Sequence, residues 1–263
     1  MRVGLVTRKI VRVGIKMIKL TKYQMSVFDG LMISDACLER ISGKRNSRFI
    51  LGTSKAEFAE RAKQQFLNFP WSEKSLITKD RYDKRTEKSY SVTTLRSKVD
   101  EFFTAQRARW YPNGVKVVPY DIEINKDMLL WWYIGDGFLS RKKSRPNWRC
   151  VGLATDSFSD MDNNILIEKL KLFFKEDDNI YLCGNEIMIS AQALCCFASL
   201  FENECPVDDY SYKFEFGQYL NKNYKKDSYK NRPLSHINEF RKKNKVRELD
   251  FRSNQDIRKV SKV

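Results

Sequence analysis

Two aspartates occupy matching places in the chain, each at the end of an apolar segment that contains small residues. Asp35 closes the segment FDGLMISD, and Asp136 closes MLLWWYIGD 101 positions later. A carboxylate near a helix C-terminus opposes the helix dipole, so its presence at the end of both segments argues for a function. The small residues available for close packing of two such helices are Gly30, Ser34, Gly135 and Gly137. We therefore expect the two carboxylates to meet at one end of a helix pair.

Paired carboxylates suggest a particular chemistry, because they repel each other unless they share a proton or a cation. On a face that binds nucleic acid the natural cation is Mg²⁺, held by carboxylates, water and phosphate oxygens. Metal-bound water can then attack a phosphodiester while the ions stabilise the attacking and leaving oxygens. Lys116 and Lys213, each after a strand-like stretch, can neutralise charge on the phosphate or orient the water. These side chains define a candidate site for phosphodiester hydrolysis.

The spacing of these residues indicates an internal repeat. Thr53 and Lys116 lie 18 and 81 positions after the first aspartate. Thr155 and Lys213 lie 19 and 77 positions after the second. Landmarks that recur in register predict two copies of one structural unit.

Hydrophobic periodicity predicts the same order of elements in both copies. In the first copy we expect a helix over 23–36, a strand over 44–55, a helix over 54–69 capped by Ser54, a polar-faced hairpin over 75–97 and a helix over 100–111. In the second copy we expect a helix over 125–139 capped by Asn125, a basic hairpin over 142–157, a helix over 159–174, two strands within 179–190 around a Gly184-Asn185 turn and a helix over 191–202. The pattern predicts an α+β fold built as a tandem αββαββα repeat. The expected limits are 1–22 for a basic N-terminal extension, 23–117 and 118–220 for the two halves, and 221–263 for a basic C-terminal tail.

Charge favours a polyanionic partner. The net charge is +16, from 49 Lys and Arg against 33 Asp and Glu. Residues 1–22 contribute +7 and residues 221–263 contribute +9, so the segment between them is balanced. The basic ends are either phosphate-binding segments or solvated tails. A surface that binds nucleic acid in this balanced segment requires its positive and negative side chains to lie on different faces.

Composition also bounds the class of protein. At 42% hydrophobic and 13% aromatic residues, the chain should fold rather than remain disordered. It contains no run of 18 or more apolar residues, so we expect no membrane span and a soluble, intracellular protein. The compartment, either a bacterial or phage-host cytoplasm or an organelle matrix, stays open. Six cysteines without a CxxC pair and a single histidine, His236, exclude a structural zinc and a His-based triad, and we expect the thiols to be reduced and buried.

These features resemble the LAGLIDADG homing endonucleases of the single-chain, two-motif type. The resemblance is carried by FDGLMISDACL at 28–38, LLWWYIGDGFL at 129–139, KVVP at 116–119 and YSYKFEF at 210–216, and it covers about residues 23–216. It implies a monomer with pseudo-twofold symmetry, two motif helices packed at a central seam, and two saddle-shaped antiparallel sheets along the DNA major groove. The sequence departs from the motif at Ala36, Cys37 and Trp131, which concern helix packing and leave both carboxylates in place.

The resemblance also implies roles for single residues. Asp35 and Asp136 would bind the divalent metal, Mg²⁺ or Mn²⁺, with Ca²⁺ supporting DNA binding without cleavage. Lys116 and Lys213 would sit at the edges of the active site. The expected DNA-binding residues on the hairpins are Arg45, Arg48, Lys79, Arg81 and Arg85 in the first half and Arg141, Lys142, Arg145 and Arg149 in the second. Trp131, Trp132 and Tyr133 are interpreted as core residues.

Two readings of function remain. The first is a site-specific, Mg²⁺-dependent homing endonuclease that cuts both strands of a double-stranded DNA target, either intron-encoded or free-standing. The second is a protein that binds nucleic acid without cleavage, such as an RNA maturase that acts on intron RNA through its basic ends. A basic ribosome-associated protein would explain the charge but not the repeated acids and lysines. An intein is not expected, because the chain starts at Met1 and ends in VSKV without a terminal His-Asn pair.

Overall fold

The computed structural model describes residues 18–141, 149–176, 178–201 and 204–216. The first half contains α1 (Lys22–Ile33), β1 (Ala36–Arg40), β2 (Ser47–Thr53), α2 (Ala56–Gln65), β3 (Trp71–Asp83), β4 (Lys88–Ser97) and α3 (Glu101–Trp110). The second half contains α4 (Lys126–Asp136), β5 (Gly137–Arg141), β6 (Arg149–Ala154), α5 (Asp160–Phe174), β7 (Ile180–Cys183), β8 (Glu186–Ser190) and α6 (Ala191–Leu200), followed by a 3-10 helix (Asp208–Phe214). The order of helices and strands is therefore the same in both halves.

The sheets confirm the predicted repeat. The strand order is β1-β2-β4-β3 in the first sheet and β5-β6-β8-β7 in the second. Every pair of neighbouring strands is antiparallel. This is the expected α+β fold, with two antiparallel sheets and two motif helices, α1 and α4, packed between them.

Both motif helices begin at side-chain caps. Thr21 and Gln24 form a capping box at the start of α1, and Asn125 accepts a hydrogen bond from the Met128 backbone at the start of α4. The cap predicted at Asn125 is confirmed. Beyond their first turns both helices are buried, over residues 27–33 of α1 and 128–134 of α4 with the exception of Leu130. Such burial is typical of helices enclosed by protein rather than laid on its surface.

Each half has its own aromatic core. In the first half, Phe28 of α1 contacts Phe49 of β2 and Phe66 after α2. In the second half, Tyr133 of α4 contacts Phe197 of α6 with ring centroids 4.8 Å apart. Trp131, Trp132 and Tyr133 are all at most 2% exposed, which confirms their interpretation as core residues. The two cores meet across the α1 and α4 contact, so the halves share one interior.

The ends of the motif helices were predicted wrongly. The helix expected over 23–36 ends at Ile33, and the helix expected over 125–139 ends at Asp136. Strands β1 and β5 follow almost at once, where the sequence predicted helix. At the end of α1, the Ser34 hydroxyl donates to the carbonyl oxygens of Gly30 and Leu31, at 3.1 and 3.2 Å. A side chain that bonds to the preceding turn competes with continuation of the helix, and this accounts for the earlier stop.

Three further predictions need correction. The helix expected over 54–69 is α2, and its N-cap is Lys55 rather than Ser54, with no side-chain hydrogen bond. The backbone NH of Lys55 instead donates to Thr53 Oγ1 at 3.1 Å. The basic hairpin expected over 142–157 consists of β5 and β6, and residues 142–148 lie outside the described residues. Cys37 and Cys183 are exposed, so the cysteines are not all buried.

Within the described ranges, no helix is long and apolar enough to cross a bilayer.

Candidate active site

The motif helices approach so closely that side chains are excluded from their contact. A Cβ added at Gly30 would lie 2.4 Å from the Met128 carbonyl oxygen, and one at Gly135 would lie 2.5 Å from Ser34 Oγ. Real Cβ atoms do not come this close to other heavy atoms, so both positions require glycine. Gly30 and Gly135 therefore set the distance between the two helices, as their sequence positions predicted.

This close contact brings the two aspartates to one end of the helix pair. Asp35 follows α1 directly, and Asp136 is the last residue of α4. A Cβ at Gly135 would lie 3.5 Å from Asp35 Oδ2, which places the Asp35 carboxylate beside the end of the opposite helix. Asp35 reaches solvent and Asp136 is half-buried, so both remain open to a ligand.

The environment disfavours negative charge on both aspartates. Burial raises the pKa of Asp136 to about 7, and the neighbouring Asp35 charge adds to the effect. Although the Asp35 side chain reaches solvent, desolvation by the surrounding protein also raises its pKa, and Lys213 and Lys116 oppose the shift. Carboxyl groups in this state are stabilised when a cation binds between them.

Each of the two lysines caps the end of one motif helix. Lys116 Nζ donates to the carbonyl oxygens of Ser34 and Ala36, at 3.3 and 3.0 Å. Lys213 Nζ donates to the carbonyl oxygens of Ile134 and Gly135, at 2.7 and 3.2 Å. The C-terminal end of a helix carries partial negative charge, which disfavours a nearby aspartate. An ammonium group placed there offsets this partial charge. The predicted lysines therefore lie at equivalent places, one beside each aspartate.

The lysines are themselves partly desolvated. Burial lowers the pKa of Lys116 and of Lys213 from the usual 10.5 to about 8 in each case, against the attraction of Asp35 and Asp136. Both groups are thus charged at neutral pH but titrate closer to neutrality than ordinary lysines do. The structure brings together all four residues that the sequence marked for catalysis.

The segments that carry the lysines dock on the opposite halves. Lys116 Nζ lies 5.5 Å from the Phe158 ring, and the Val118 backbone donates to Asp162 Oδ1 of α5 at 2.9 Å. Lys213 Nζ lies 4.5 Å from the Tyr210 ring, whose hydroxyl is 3.4 Å from Thr53 Oγ1 of β2.

Two of the residues that hold the lysine-bearing segments in place were not identified from the sequence. They are Asp162, which accepts a hydrogen bond from the Val118 backbone, and Tyr210, whose hydroxyl lies beside Thr53 of the first half. For Asp162 the available signal was its capping box with Ser159, which marks the start of a helix. The capping box does not show what the other carboxylate oxygen of Asp162 binds. For Tyr210 the sequence held no such signal.

The donor set is compatible with Mg²⁺. Among the residues that the structure describes, no group of three or more His, Cys, Asp or Glu side chains could hold a metal ion. Mg²⁺ commonly takes one or two carboxylates and completes its octahedron with water and substrate phosphates. Asp35 and Asp136, with the raised pKa of each, match this incomplete set.

The expected DNA-binding residues of the first half fall mainly on one face of the first sheet. Burial alternates along β2, so Ser47, Phe49 and Leu51 face the core and Arg48 lies on the opposite, outer face. The cross-strand register places further residues on the same outer face. These are Lys79, Arg81, Lys88 and Arg96.

Two of these cations, Lys88 and Arg96, were missed. Their alternation along β4 was the available signal, because Lys88, Tyr90, Val92, Thr94 and Arg96 share one parity. The Nε atom of Arg96 is buried and has no hydrogen-bond partner.

The remaining expected DNA-binding residues are placed differently. Arg45 lies between β1 and β2, and Arg85 lies in the turn between β3 and β4, where its backbone donates to Asp83. Arg141 and Arg149 pair with each other at the ends of β5 and β6. Lys142 and Arg145 lie outside the described residues.

The fold and this site define a tandem-repeat protein with paired acidic helix ends, and comparison with known proteins assigns its family. The model of the LAGLIDADG DNA endonuclease family matches residues 25–190, more than half of the chain. The protein belongs to the LAGLIDADG DNA endonuclease family.

Individual relatives are more distant. The Uncharacterized protein MJ1098 of Methanocaldococcus jannaschii is 33% identical over 156 residues, which cover 58% of this chain and 57% of that protein. The chain thus aligns with little more than half of this relative. The homing endonuclease I-WcaI bound to its DNA recognition sequence has a similar structure, with a TM-score of 0.60, 17% identity and coverage of 75% of this chain and 88% of that one. The LAGLIDADG meganuclease I-AabMI bound to uncleaved DNA has a TM-score of 0.39 at 12% identity, with 74% and 86% coverage. At these identities the I-WcaI likeness shows the shared fold alone.

Proposed function

We propose that this protein is a Mg²⁺-dependent DNA endonuclease that cuts both strands of double-stranded DNA at a long, specific site. The observation that carries the proposal is the pair of aspartates, Asp35 and Asp136, held together at the helix seam with Lys116 and Lys213 beside them. Membership of the endonuclease family supports it. So does the I-WcaI structure, a homing endonuclease bound to its DNA recognition sequence.

The repeat explains how one chain would act on two strands. The strands of a duplex are related by local twofold axes, and the two halves of this protein repeat the same elements in the same order. Each half contributes one aspartate and one lysine, so each strand would meet an equivalent set of groups. A single chain therefore contains both sets, and we propose that it acts as a monomer.

The roles of the side chains follow from their charges. Asp35 and Asp136 would hold Mg²⁺, which when bound activates water and stabilises developing charge on phosphate oxygens. Lys116 and Lys213 would attract the phosphates toward the seam and stabilise negative charge that increases during the reaction. Their hydrogen bonds to helix-end carbonyl oxygens fix the two ammonium groups beside the aspartates before DNA arrives.

The test is cleavage of a large randomised duplex library, sequenced after incubation with Mg²⁺ and, separately, with Ca²⁺. We expect a discrete cut site with Mg²⁺, and retention of the same site without cleavage with Ca²⁺. Asp35→Asn and Asp136→Asn should each abolish cleavage while binding persists, because they remove charge without changing shape. Glu60→Gln, at an exposed position of α2, is the matched control and should cut normally. A wild-type protein that retains duplexes but never cuts them would refute the proposal.

The alternative is a protein that binds nucleic acid without cutting, such as an RNA maturase. The basic segments 1–22 and 221–263, which carry +7 and +9, favour this second function because they can bind intron RNA by charge alone. Retention of folded RNA in the same experiment, with no duplex cut under any metal, would support it over the nuclease.

A further inference from the structure

The equivalent hairpins of the two halves differ greatly in length. In the first half, β3 has 13 residues and β4 has 10. In the second half, β7 has 4 residues and β8 has 5. At roughly 3.3 Å per residue, the regular pairing of Leu76–Asp83 spans about 26 Å and β7 spans about 13 Å. At about 3.4 Å per base pair, these lengths correspond to about eight and four base pairs.

The outer part of the long hairpin projects beyond the core. Near the core, one face of the hairpin packs against helices. In the outer part, the same face carries polar pairs instead. Thr78 and Thr93 are hydrogen-bonded at 2.9 Å, and Ser91 donates to Asp80 at 2.5 Å. Residues 79–82 and 87–91 are exposed, so no other described element covers them. This part of the hairpin is held by its own strand pairing and is free to lie along a ligand.

The outer face of the first sheet is rich in cations. Five lie there, namely Arg48, Lys79, Arg81, Lys88 and Arg96. Carboxylates on the same face are Glu39, which is paired with Arg48 at 2.5 Å, and Asp83 beside the turn. Cations that alternate along adjacent strands present their charge to one groove of a duplex, where Arg and Lys contact both phosphates and guanine edges.

The outer face of the second sheet is different. The register places Phe138, Gly152, Met188 and Tyr181 in one row across the four strands. The Phe138 ring lies on Gly152, where an added Cβ would come within 2.1 Å of it. Among the strand residues of this sheet whose side chains the structure describes, none on the outer face is a cation. In this row Gly152 is buried and Met188 is 6% exposed, so Phe138 and Tyr181 are the residues open to a ligand, and neither carries a charge.

We propose that the two halves read DNA unequally. The hairpin β3 and β4 specifies a long half-site by contacts from Lys79, Arg81, Lys88 and Arg96, and the second half specifies a short half-site. This inference rests on the proposed function, because it concerns the DNA target of the same protein. It goes beyond that function by predicting the form of the target and the half that determines its sequence.

The experiment is selection of binding sites by the full chain from a randomised duplex library in Ca²⁺, followed by sequencing. We expect about eight specified base pairs on one side of the centre and about four or fewer on the other. Two half-sites of equal length and information would overturn this inference and leave the endonuclease proposal intact. If no duplex is enriched, both proposals fail together.

Matched substitutions assign the long half-site to its hairpin. Arg81→Ala and Tyr181→Ala each remove an exposed side chain from the outer face of an equivalent hairpin. For Arg81→Ala we expect about tenfold weaker binding to the selected site and relaxed sequence preference in the long half-site only. For Tyr181→Ala we expect less than about twofold weaker binding. A larger effect of Tyr181→Ala than of Arg81→Ala would contradict the proposal.

A shortened hairpin provides a second, independent variant. Replacing residues 80–91 with the two-residue turn Asn-Gly keeps the Lys79 and Val92 pair and removes the exposed outer part. The thermal unfolding of this variant should match that of the wild type, because no core residue is removed. Its selected site should lose several base pairs on one side only. A selected site of unchanged length would overturn the proposal.

Discussion

Asp136 combines two unfavourable conditions for a charged carboxylate, since it is partly buried and lies beside Asp35. Its pKa of about 7 means that the folded protein holds this proton over a range in which an unfolded chain has released it. Stability therefore falls as the pH rises from about 4 to about 7, and the loss is complete above about 7. Evolution tolerates such a residue where its charge is needed for binding or chemistry.

Asp136→Asn should stabilise the metal-free protein at pH 8, because it removes this buried charge. After allowance for solvent screening, we expect a gain of about 1–2 kcal/mol, or roughly 2–6 °C in Tm. At pH 4, where Asp136 is largely protonated, the difference should nearly vanish. Thermal unfolding in a chelator at both pH values measures this, with Glu60→Gln as the control. Equal changes in Tm at pH 4 and pH 8 would mean that the charge on Asp136 does not destabilise the folded protein.

Three titrating groups, Asp136, Lys116 and Lys213, together predict the pH dependence of cleavage. Asp136 must be ionised to bind metal, so activity should fall as the pH drops below about 7. Lys116 and Lys213 lose their charge as the pH rises through about 8, so activity should also fall on the alkaline side. The plot of kcat/KM against pH should be bell-shaped, with a maximum between these values.

Two controls separate the limbs of this profile. Raising the Mg²⁺ concentration should move the acid limb to lower pH, because the metal competes with the proton for Asp136. Lys116→Gln or Lys213→Gln should lower kcat/KM and weaken its alkaline fall. An alkaline limb that both variants leave unchanged would exclude the lysines as its source.

At the scale of elements, the contact between α1 and α4 depends on residues without side chains. Gly30→Ala would add a Cβ 2.4 Å from a backbone oxygen of α4, which cannot move without shifting the helix. The higher helix propensity of alanine favours the variant by about 0.5–1 kcal/mol, but overpacking of a close contact costs about 1–3 kcal/mol. We expect a net loss of stability in denaturant unfolding. Gly52→Ala is the control, because a Cβ at that position meets nothing within 4 Å.

A second readout of Gly30→Ala concerns the site. Displacement of the helices would separate Asp35 from Asp136, so cleavage should decrease even where the variant remains fully folded. A variant as stable and active as Gly52→Ala would show that the helices do not need this approach.

The sequence predicted these elements well where the local signal was strong and poorly where tertiary structure decided the outcome. The start of α4 at Asn125 and the two strands around Gly184 were correct, because caps and turn residues act within a few positions. The ends of the motif helices were wrong, because an apolar run does not show where a helix changes to a buried strand. The start of β3 was also missed, because residues 71–74 precede the alternating stretch from which the hairpin over 75–97 was predicted.

The candidate site was likewise predicted where the signal lay in the sequence and missed where tertiary structure decided the contact. The two aspartates and two lysines could be selected because they recur at matched spacing, which is a property of the sequence alone. The ammonium hydrogen bonds to Ser34 and Ile134 could not be predicted, since they depend on how each lysine segment crosses the seam. Alternation along β4 could have marked Lys88 and Arg96, but the strand register was needed to place them on the same face as Lys79 and Arg81.

At the scale of the whole molecule, contacts between the halves extend well beyond the motif helices. Arg109 of α3 donates to both oxygens of buried Asp29 within the first half and also to Asp121, which lies beyond the predicted boundary at 117. Phe58 of α2 stacks on Trp131 of α4 with ring centroids 5.9 Å apart, and it forms an edge-to-face pair with Tyr210 with centroids 5.6 Å apart. Because each half completes the interior of the other, we expect the two to unfold together.

Phe58→Ala tests this coupling. Phe58 is fully buried in the first half, and its two ring partners, Trp131 and Tyr210, both belong to the second. The substitution should cost about 3–5 kcal/mol, the usual loss for truncation of a buried phenylalanine. If the halves form one cooperative unit, amide protection should decrease by the same free energy in β2 and in β8, measured by native-state hydrogen exchange. In that case neither half would unfold before the other. A loss confined to residues of the first half, or two separate unfolding transitions, would show that the halves are independent and that the seam acts only as a contact between them.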